Sequence, residues 1–191
     1  MKSDKYPVVA ITGGIGSGKS YVCRLLEQRG IRVYDCDSAA KRLMRGSTLL
    51  KEQLTRLIGP DTYIDGCLNK AAVASFMMQN DANVKKINAI VHPAVAEDFF
   101  QSDYTWMETA ILYDCGSDRY ADIVIAVVAP QETRISRIIQ RDSISREKAL
   151  EWIAKQMDQQ EVARRADHVV INDGTQDLLS QIDRILTKIK E

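Results

Sequence analysis

Short apolar runs alternate with amphipathic stretches along most of this chain. Val8 to Thr12 is a β-branched run, and Ile31 to Tyr34, Thr105 to Thr109, Ile123 to Ala129 and His168 to Ile171 are four more of the same kind. Such runs predict strands, and the helical patterns between most of them predict a parallel sheet covered on both faces. The first helix is expected over Ser20 to Arg29, closed by Gly30, and the last carries Leu178, Ile182, Ile185, Leu186 and Ile189 as a packing stripe. The fold class predicted is α/β with a five-stranded parallel sheet.

The gap from about Ser38 to Tyr104 is too long to be a structureless connection. Leu49, Leu50, Leu54, Leu57 and Ile58 recur at helical spacing until Gly59-Pro60, and Val73, Phe76 and Met77, then Val84, Ile87 and Val91, repeat the pattern. A helical insert is therefore expected. His92-Pro93 should break its last helix, because the residue before proline is biased away from helical backbone.

Between the first strand and the first helix lies Gly13-Gly14-Ile15-Gly16-Ser17-Gly18-Lys19-Ser20, which matches the phosphate-binding pattern G-x-x-x-x-G-K-[ST]. Glycines let main-chain N–H groups approach phosphate oxygens, and a helix N-terminus adds roughly half a positive charge. Gly14, Ile15, Gly16, Ser17 and Gly18 are thus expected to cradle phosphates. Lys19 would reach the β- and γ-phosphates, the Ser20 hydroxyl would ligate Mg²⁺, and the Tyr21 N–H would meet the α-phosphate. The dinucleotide pattern G-x-G-x-x-G fails, because its third glycine falls on Lys19.

The 191 residues suffice for one decorated domain burying roughly 70% of its unfolded surface. Lys plus Arg and Asp plus Glu both number 26, so no broad basic field points to nucleic acid or an anionic membrane, and small molecules are the expected partners. Cys23, Cys36, Cys67 and Cys115 form neither C-x-x-C nor a Cys/His cluster and read as reduced thiols. No apolar stretch approaches the roughly 20 residues of a membrane span. Met1 to Lys5 lead into the first strand without a signal-peptide core, so a cytoplasmic protein is expected.

Two clusters carry candidate chemistry. Asp35-Cys36-Asp37 follows the second strand, where alternation would place both carboxylates on one face. Phosphoryl transfer to an alcohol needs a group to orient the hydroxyl and take its proton, and charge balance around Mg²⁺; carboxylates serve both tasks. The competing reading is an acidic helix N-cap with Ser38 in the first turn. Arg134, Arg137 and Arg141 lie at i, i+3 and i+7 after Pro130, with Arg146 in a polar turn beyond. They suit either a mobile lid clamping a transferring phosphoryl group or a solvated stripe. Arg141, nearest the Asp142 to Ser145 turn, is the first choice for the clamp. Asn172-Asp173-Gly174 leaves the fifth strand as a turn, where Asn172 and Gly174 would meet a nucleotide base or simply precede the last helix.

The residues alone leave open a small-molecule or nucleoside monophosphate kinase and a nucleotide-binding module without catalysis. They speak against a regulatory switch, since no D-x-x-G occurs and Asn69-Lys70-Ala71-Ala72 is not N-K-x-D.

Taken together, the motifs resemble the dephospho-coenzyme A kinase family over essentially the whole chain. The resemblance rests on Ile11 to Ser20, on Asp35-Cys36-Asp37 as the family's D-x-D, and on Leu68-Asn69-Lys70, His92-Pro93 and Gln131 to Arg134 leading to Arg137 and Arg141. Gln156 and Ala166 to Gly174 complete it. It implies a P-loop kinase core, nucleoside-monophosphate-kinase-like, over about 6–37, 104–130 and 166–191. A helical acceptor-binding insert would span about 38–103 and a lid about 131–165. It also implies ATP-dependent phosphorylation of the ribose 3′-hydroxyl of dephospho-coenzyme A with Mg²⁺, by a monomer or weak homo-oligomer. Asp37 would then be the base, Asp35 a partner of the metal's water, Lys19 and Arg141 the charges on the γ-phosphoryl group, and Lys70, His92 and Arg137 acceptor contacts. The chain departs from the family pattern at Tyr21, where threonine is usual, and at Lys70, where arginine is. It departs again in Glu108 to Asp114, where Ala110 replaces proline and both acids are exchanged for the other kind.

Overall fold

Val9–Thr12 forms strand β1, every residue of it buried, as expected for an apolar run inside a parallel sheet. This computed structural model describes residues 6–190; the lead-in Met1 to Lys5, read above for a signal peptide, and the terminal Glu191 lie outside the described residues. After β1 come helix α1 (Lys19–Glu27), β2 (Val33–Asp35), α2 (Cys36–Gly46), α3 (Thr48–Ile58), β3 (Tyr63–Ile64), β4 (Cys67–Leu68), α4 (Lys70–Gln79) and α5 (Asp81–Gln101). The chain continues through β5 (Trp106–Glu108), β6 (Ile123–Val128), α6 (Gln131–Asp142), α7 (Arg146–Ala154), α8 (Gln159–Arg165), β7 (His168–Ile171) and α9 (Leu178–Lys190). All five expected strands are present, most trimmed by a residue or two.

By internal contacts the chain divides into one unit of residues up to Tyr34 and from Tyr104 onward, and a second of Asp35–Asp103. The first is built on a five-stranded sheet in the order β2-β5-β1-β6-β7. β1 runs parallel to β5, with Ile11 opposite Glu108, and parallel to β6, with Thr12 opposite Ala126; β6 and β7 are also parallel. The core of the sheet gathers Val9, Ile11, Ile125, Val127 and Val170 with Val22 and Leu26 of α1 and Ile182 and Ile185 of α9. On the edge strand β7, the Ile171 N–H donates to Gln181 Oε1 at 2.8 Å and the Ile171 carbonyl accepts from Gln181 Nε2 at 3.0 Å.

The second unit is helical, with one element that the apolar spacing did not announce. β3 and β4 pair antiparallel around Asp65-Gly66, both at positive φ, 49° and 76°, as the two-residue turn of a hairpin requires. The expected break at His92-Pro93 does not occur. α5 runs from Asp81 to Gln101 with Pro93 inside it. Proline cannot supply the N–H that the Ala89 carbonyl would accept, but Ala89 and Pro93 both sit on the exposed face, so the carbonyl is not sealed in a dry core. Val91, Val95 and Phe99 on the other face are buried and hold the helix together across the proline.

Candidate functional site

The phosphate-binding pattern occupies the turn between β1 and α1. Gly18 stands at the N-cap of α1 in the left-handed region, φ 94°, and no side chain caps the helix, so its N-terminus can face an anion; the Tyr21 N–H, expected to meet the α-phosphate, donates instead to the Gly18 carbonyl at 3.0 Å. A Cβ at Gly18, where φ is already 94°, would collide with Asn172 Nδ2, and one at Gly14 would displace the Arg134 guanidinium. Ser17 is fully buried, and its hydroxyl has no hydrogen-bond partner among the described residues. Ser20 and Tyr21 are exposed. Lys19 is only 9% exposed, and its ammonium lies 3.7 Å from Glu108 Oε1 at the end of β5.

The basic helix meets this loop, though not as a row of phosphate-facing guanidinium groups. Arg134, 5% exposed, donates from Nε to the Ile15 carbonyl at 2.9 Å. Burial lowers its pKa, with Asp158 opposing, but arginine remains protonated at neutral pH. Arg137 donates to the carbonyls of Gly16 at 3.3 Å and Ser17 at 3.2 Å, and to Asn172 Oδ1 at 3.1 Å. Asn172, also buried, returns a bond from Nδ2 to the Ser17 carbonyl at 2.8 Å. Gln156 Oε1, beyond the end of α7, accepts from the Ile15 N–H at 2.7 Å. Arg137 and Asn172 thus brace the underside of the loop. Arg141 lies at the surface, bonded to its neighbour Asp142 at 3.0 and 2.7 Å, and Arg146 opens α7 and pairs with Glu132 at 2.8 and 2.6 Å. Gly174, at φ 88°, lies in a turn organised by Asp173, whose carboxylate accepts from the Thr175 and Gln176 N–H groups and is held far below the ordinary carboxylate range by them.

The second unit carries the remaining candidates. Asp35 ends β2 and is the N-cap of α2: its Oδ1 accepts from Ser38 N at 2.9 Å and its Oδ2 from Ser38 Oγ at 2.6 Å. Strand alternation therefore does not relate the two acids, because the helix begins at Cys36. Asp37 falls in the first turn of α2, exposed, where a carboxylate is favoured by the helix dipole. On α5 the half-buried His92 has its pKa pushed below the ordinary value by burial, while the Asp37 carboxylate pulls it the other way. Lys70 is exposed at the start of α4, behind the cap made by Asn69 Oδ1 and the Ala72 N–H.

Glu108 and Gln156 were read from the sequence only as motif positions. An acid at the carboxyl end of the strand beside β1 is the signal that could have found Glu108, since ligands gather at that edge of a parallel sheet. Gln156 offered none, being 141 residues from its partner Ile15.

Comparison with known proteins follows from this geometry. The dephospho-CoA kinase family model matches residues 7–177. The chain is 39% identical over 189 residues to a dephospho-CoA kinase of Porphyromonas gingivalis, covering 95% of this chain and 94% of that one. It is 37% identical over 181 residues to one of Bacteroides fragilis, covering 91% and 88%. Among solved structures, TT1252 from Thermus thermophilus superposes with a TM-score of 0.80 at 31% identity, over 96% of this chain and 98% of that one.

Proposed function

This chain belongs to the dephospho-CoA kinase family, a membership established by the match over residues 7–177, and on that premise we propose how its residues divide the work of the reaction. The protein is a P-loop kinase that phosphorylates the ribose 3′-hydroxyl of dephospho-coenzyme A with ATP, giving coenzyme A and ADP. The observation that carries the donor half is the uncapped N-terminus of α1 starting at Lys19. Main-chain N–H groups of Gly16, Gly18, Lys19 and Ser20 hold the ATP phosphates, those of Ile15, Ser17 and Tyr21 being bonded within the protein, and Lys19 spreads the charge of the γ-phosphoryl group as it leaves ADP. Gly174 and the Asn172 main chain border the base.

Mg²⁺ fits the donors present. The Ser20 hydroxyl is exposed in the first turn of α1 and Glu108 offers a carboxylate beside Lys19, a hard oxygen set of the kind completed by phosphates and water. When bound, the ion supplies charge neutralisation across the β- and γ-phosphate oxygens. Glu108 would hold the metal's water, a role for which Asp35 has fewer lone pairs left, its oxygens each accepting from Ser38. Asp35 instead fixes the start of α2 and with it the direction of Asp37.

Asp37 orients the acceptor hydroxyl and takes its proton, with positioning supplying most of the gain. His92 and Lys70 contact the acceptor. Arg137, with its donors spent on loop carbonyls, serves the phosphates indirectly. Arg141, at the end of α6 in the 131–165 lid, leaves Asp142 and reaches the γ-phosphoryl group by side-chain motion, since Arg134 and Gln156 fasten that segment to the loop. No helix among the described residues is long and apolar enough to cross a membrane; the use of ATP supports a cytoplasmic setting, and the enzyme acts as a monomer or weak homo-oligomer.

The test is an acceptor panel with ATP: dephospho-coenzyme A, AMP and shikimate. Turnover confined to dephospho-coenzyme A is the expected result, and preference for a nucleoside monophosphate overturns the reading. In a folded Asp37→Asn protein kcat should fall on the order of 10²- to 10⁴-fold; near-normal turnover removes Asp37 from the base role.

A further inference from the structure

The apex of the phosphate loop is held by side chains from α6 and from beyond the end of α7. Gly14 to Ser17 is a β-turn closed by a bond from the Ser17 N–H to the Gly14 carbonyl at 3.1 Å. Gly16, its third residue, has φ 79°, the value of a type II turn. Type II and type I turns differ by a flip of the central peptide, here the one joining Ile15 to Gly16. In a trans peptide the C=O and N–H point opposite ways, so the direction of the Ile15 carbonyl sets the direction of the Gly16 N–H.

Both polar groups of Ile15 are occupied by side chains from far along the chain. Its carbonyl accepts from Arg134 Nε at 2.9 Å, which turns the Gly16 N–H away from α6. Its N–H donates to Gln156 Oε1 at 2.7 Å. The preceding peptide is fastened too, because the Gly14 carbonyl already accepts from Ser17. The Gln156 main chain is in turn set by a bond from its N–H to the Ile153 carbonyl at 3.2 Å. The Ile15 side chain packs on a small core of Ile135, Ile138 and Ala149, which also draws in Leu150 and Trp152 and is separate from the core of the sheet. Ile15 is therefore plugged into the α6–α7 arm by its side chain and two hydrogen bonds, and Arg137 adds two more through the Gly16 and Ser17 carbonyls.

Resting on the donor-site reading above, we propose that Arg134 and Gln156 are positioning residues that lock the Gly14–Ser17 turn in its type II form. The Gly16 N–H is thereby kept as a phosphate donor, and the Ile15 carbonyl is kept out of the phosphate site. The arm and the loop apex then move as one piece. A neutral amide suits the Gln156 position, since a carboxylate would accept the same bond but add a negative charge next to ATP.

The experiment compares the wild-type protein with Gln156→Met, which preserves length but removes the acceptor, and with Gln156→Asn, which is too short to reach. Steady-state constants for ATP and for dephospho-coenzyme A are measured separately, well below each protein's Tm, together with calorimetric binding of ADP. Leaving the Ile15 N–H without its acceptor should raise KM for ATP and Kd for ADP about 10-fold, with KM for dephospho-coenzyme A within about twofold. Unchanged ATP and ADP constants, or equal rises for both substrates, overturn the proposal; so does a lowered Tm with wild-type constants, which would make Gln156 merely structural. If Gln156→Met does not fold, the same readouts on Gln156→Asn decide. Failure of the wild-type protein to phosphorylate dephospho-coenzyme A would instead count against the donor-site reading itself.

Discussion

The Lys19 ammonium and the Glu108 carboxylate lie 3.7 Å apart with side-chain exposures of 10% and 14%. Two charges so little solvated interact strongly, so the Glu108 carboxylate sets the field that Lys19 presents to an incoming phosphate. Glu108→Gln keeps the shape and removes the charge. Its kcat should fall on the order of 10²-fold, and raising free Mg²⁺ in the assay should recover part of the loss. A variant with unchanged kcat and unchanged Mg²⁺ dependence would remove Glu108 from the site.

Arg141 separates catalysis from stability. Its pairing with Asp142 is exposed, and such pairs contribute about 0–1 kcal/mol. Arg141→Ala should therefore leave Tm nearly unchanged while lowering kcat on the order of 10³-fold, the contribution of an arginine engaged only in the transition state. Thermal melts alongside initial rates check both halves, and unaltered turnover would reduce Arg141 to a surface residue.

His92 predicts a pH dependence of stability. Its folded pKa lies below the ordinary 6.5 because burial disfavours the cation. The unfolded chain then binds a proton that the folded chain resists, so stability is fully present above about pH 6.5 and declines as pH falls from there toward the folded pKa. Tm measured between pH 7.5 and 5.5 should drop more steeply in the wild-type protein than in His92→Gln. Parallel profiles would show that burial of the neutral imidazole does not govern this window.

At Gly18 a methyl group is costly twice over. φ of 94° disfavours any L side chain, and the new Cβ would meet the buried Asn172 amide. Gly18→Ala should lose about 1–3 kcal/mol of stability and most of its ATP affinity, read by denaturant melts and nucleotide titration. Wild-type binding in that variant would contradict the close approach of Asn172 to the loop.

Much of the frame was legible because burial imposes periodicity. Val9 to Thr12 and Ile123 to Val128 had to be apolar throughout to sit inside a parallel sheet, and the loop glycines were recognisable from their spacing. Pro93 was misread because a local rule lost to tertiary packing: the missing bond faces water, while Val91, Val95 and Phe99 bury the opposite face. The β3–β4 hairpin carried a signal, Asp65-Gly66, but its strands of two residues each are too short for alternation to register. Asp35 and Asp37 showed which chemistry to expect, yet their geometry depended on where the helix began. The hold of Arg134 and Gln156 on Ile15 lay beyond any local pattern, since it joins positions more than a hundred residues apart through the packing of the arm.

Gln181 gives the sheet a property of its own. By donating to and accepting from Ile171, its amide imitates the backbone of one more strand at the outer side of β7. An incoming strand would have to displace it before pairing there. That guards against edge-to-edge aggregation at high concentration, and it does so with a side chain from α9, so the protection is in place only once the C-terminal helix has docked.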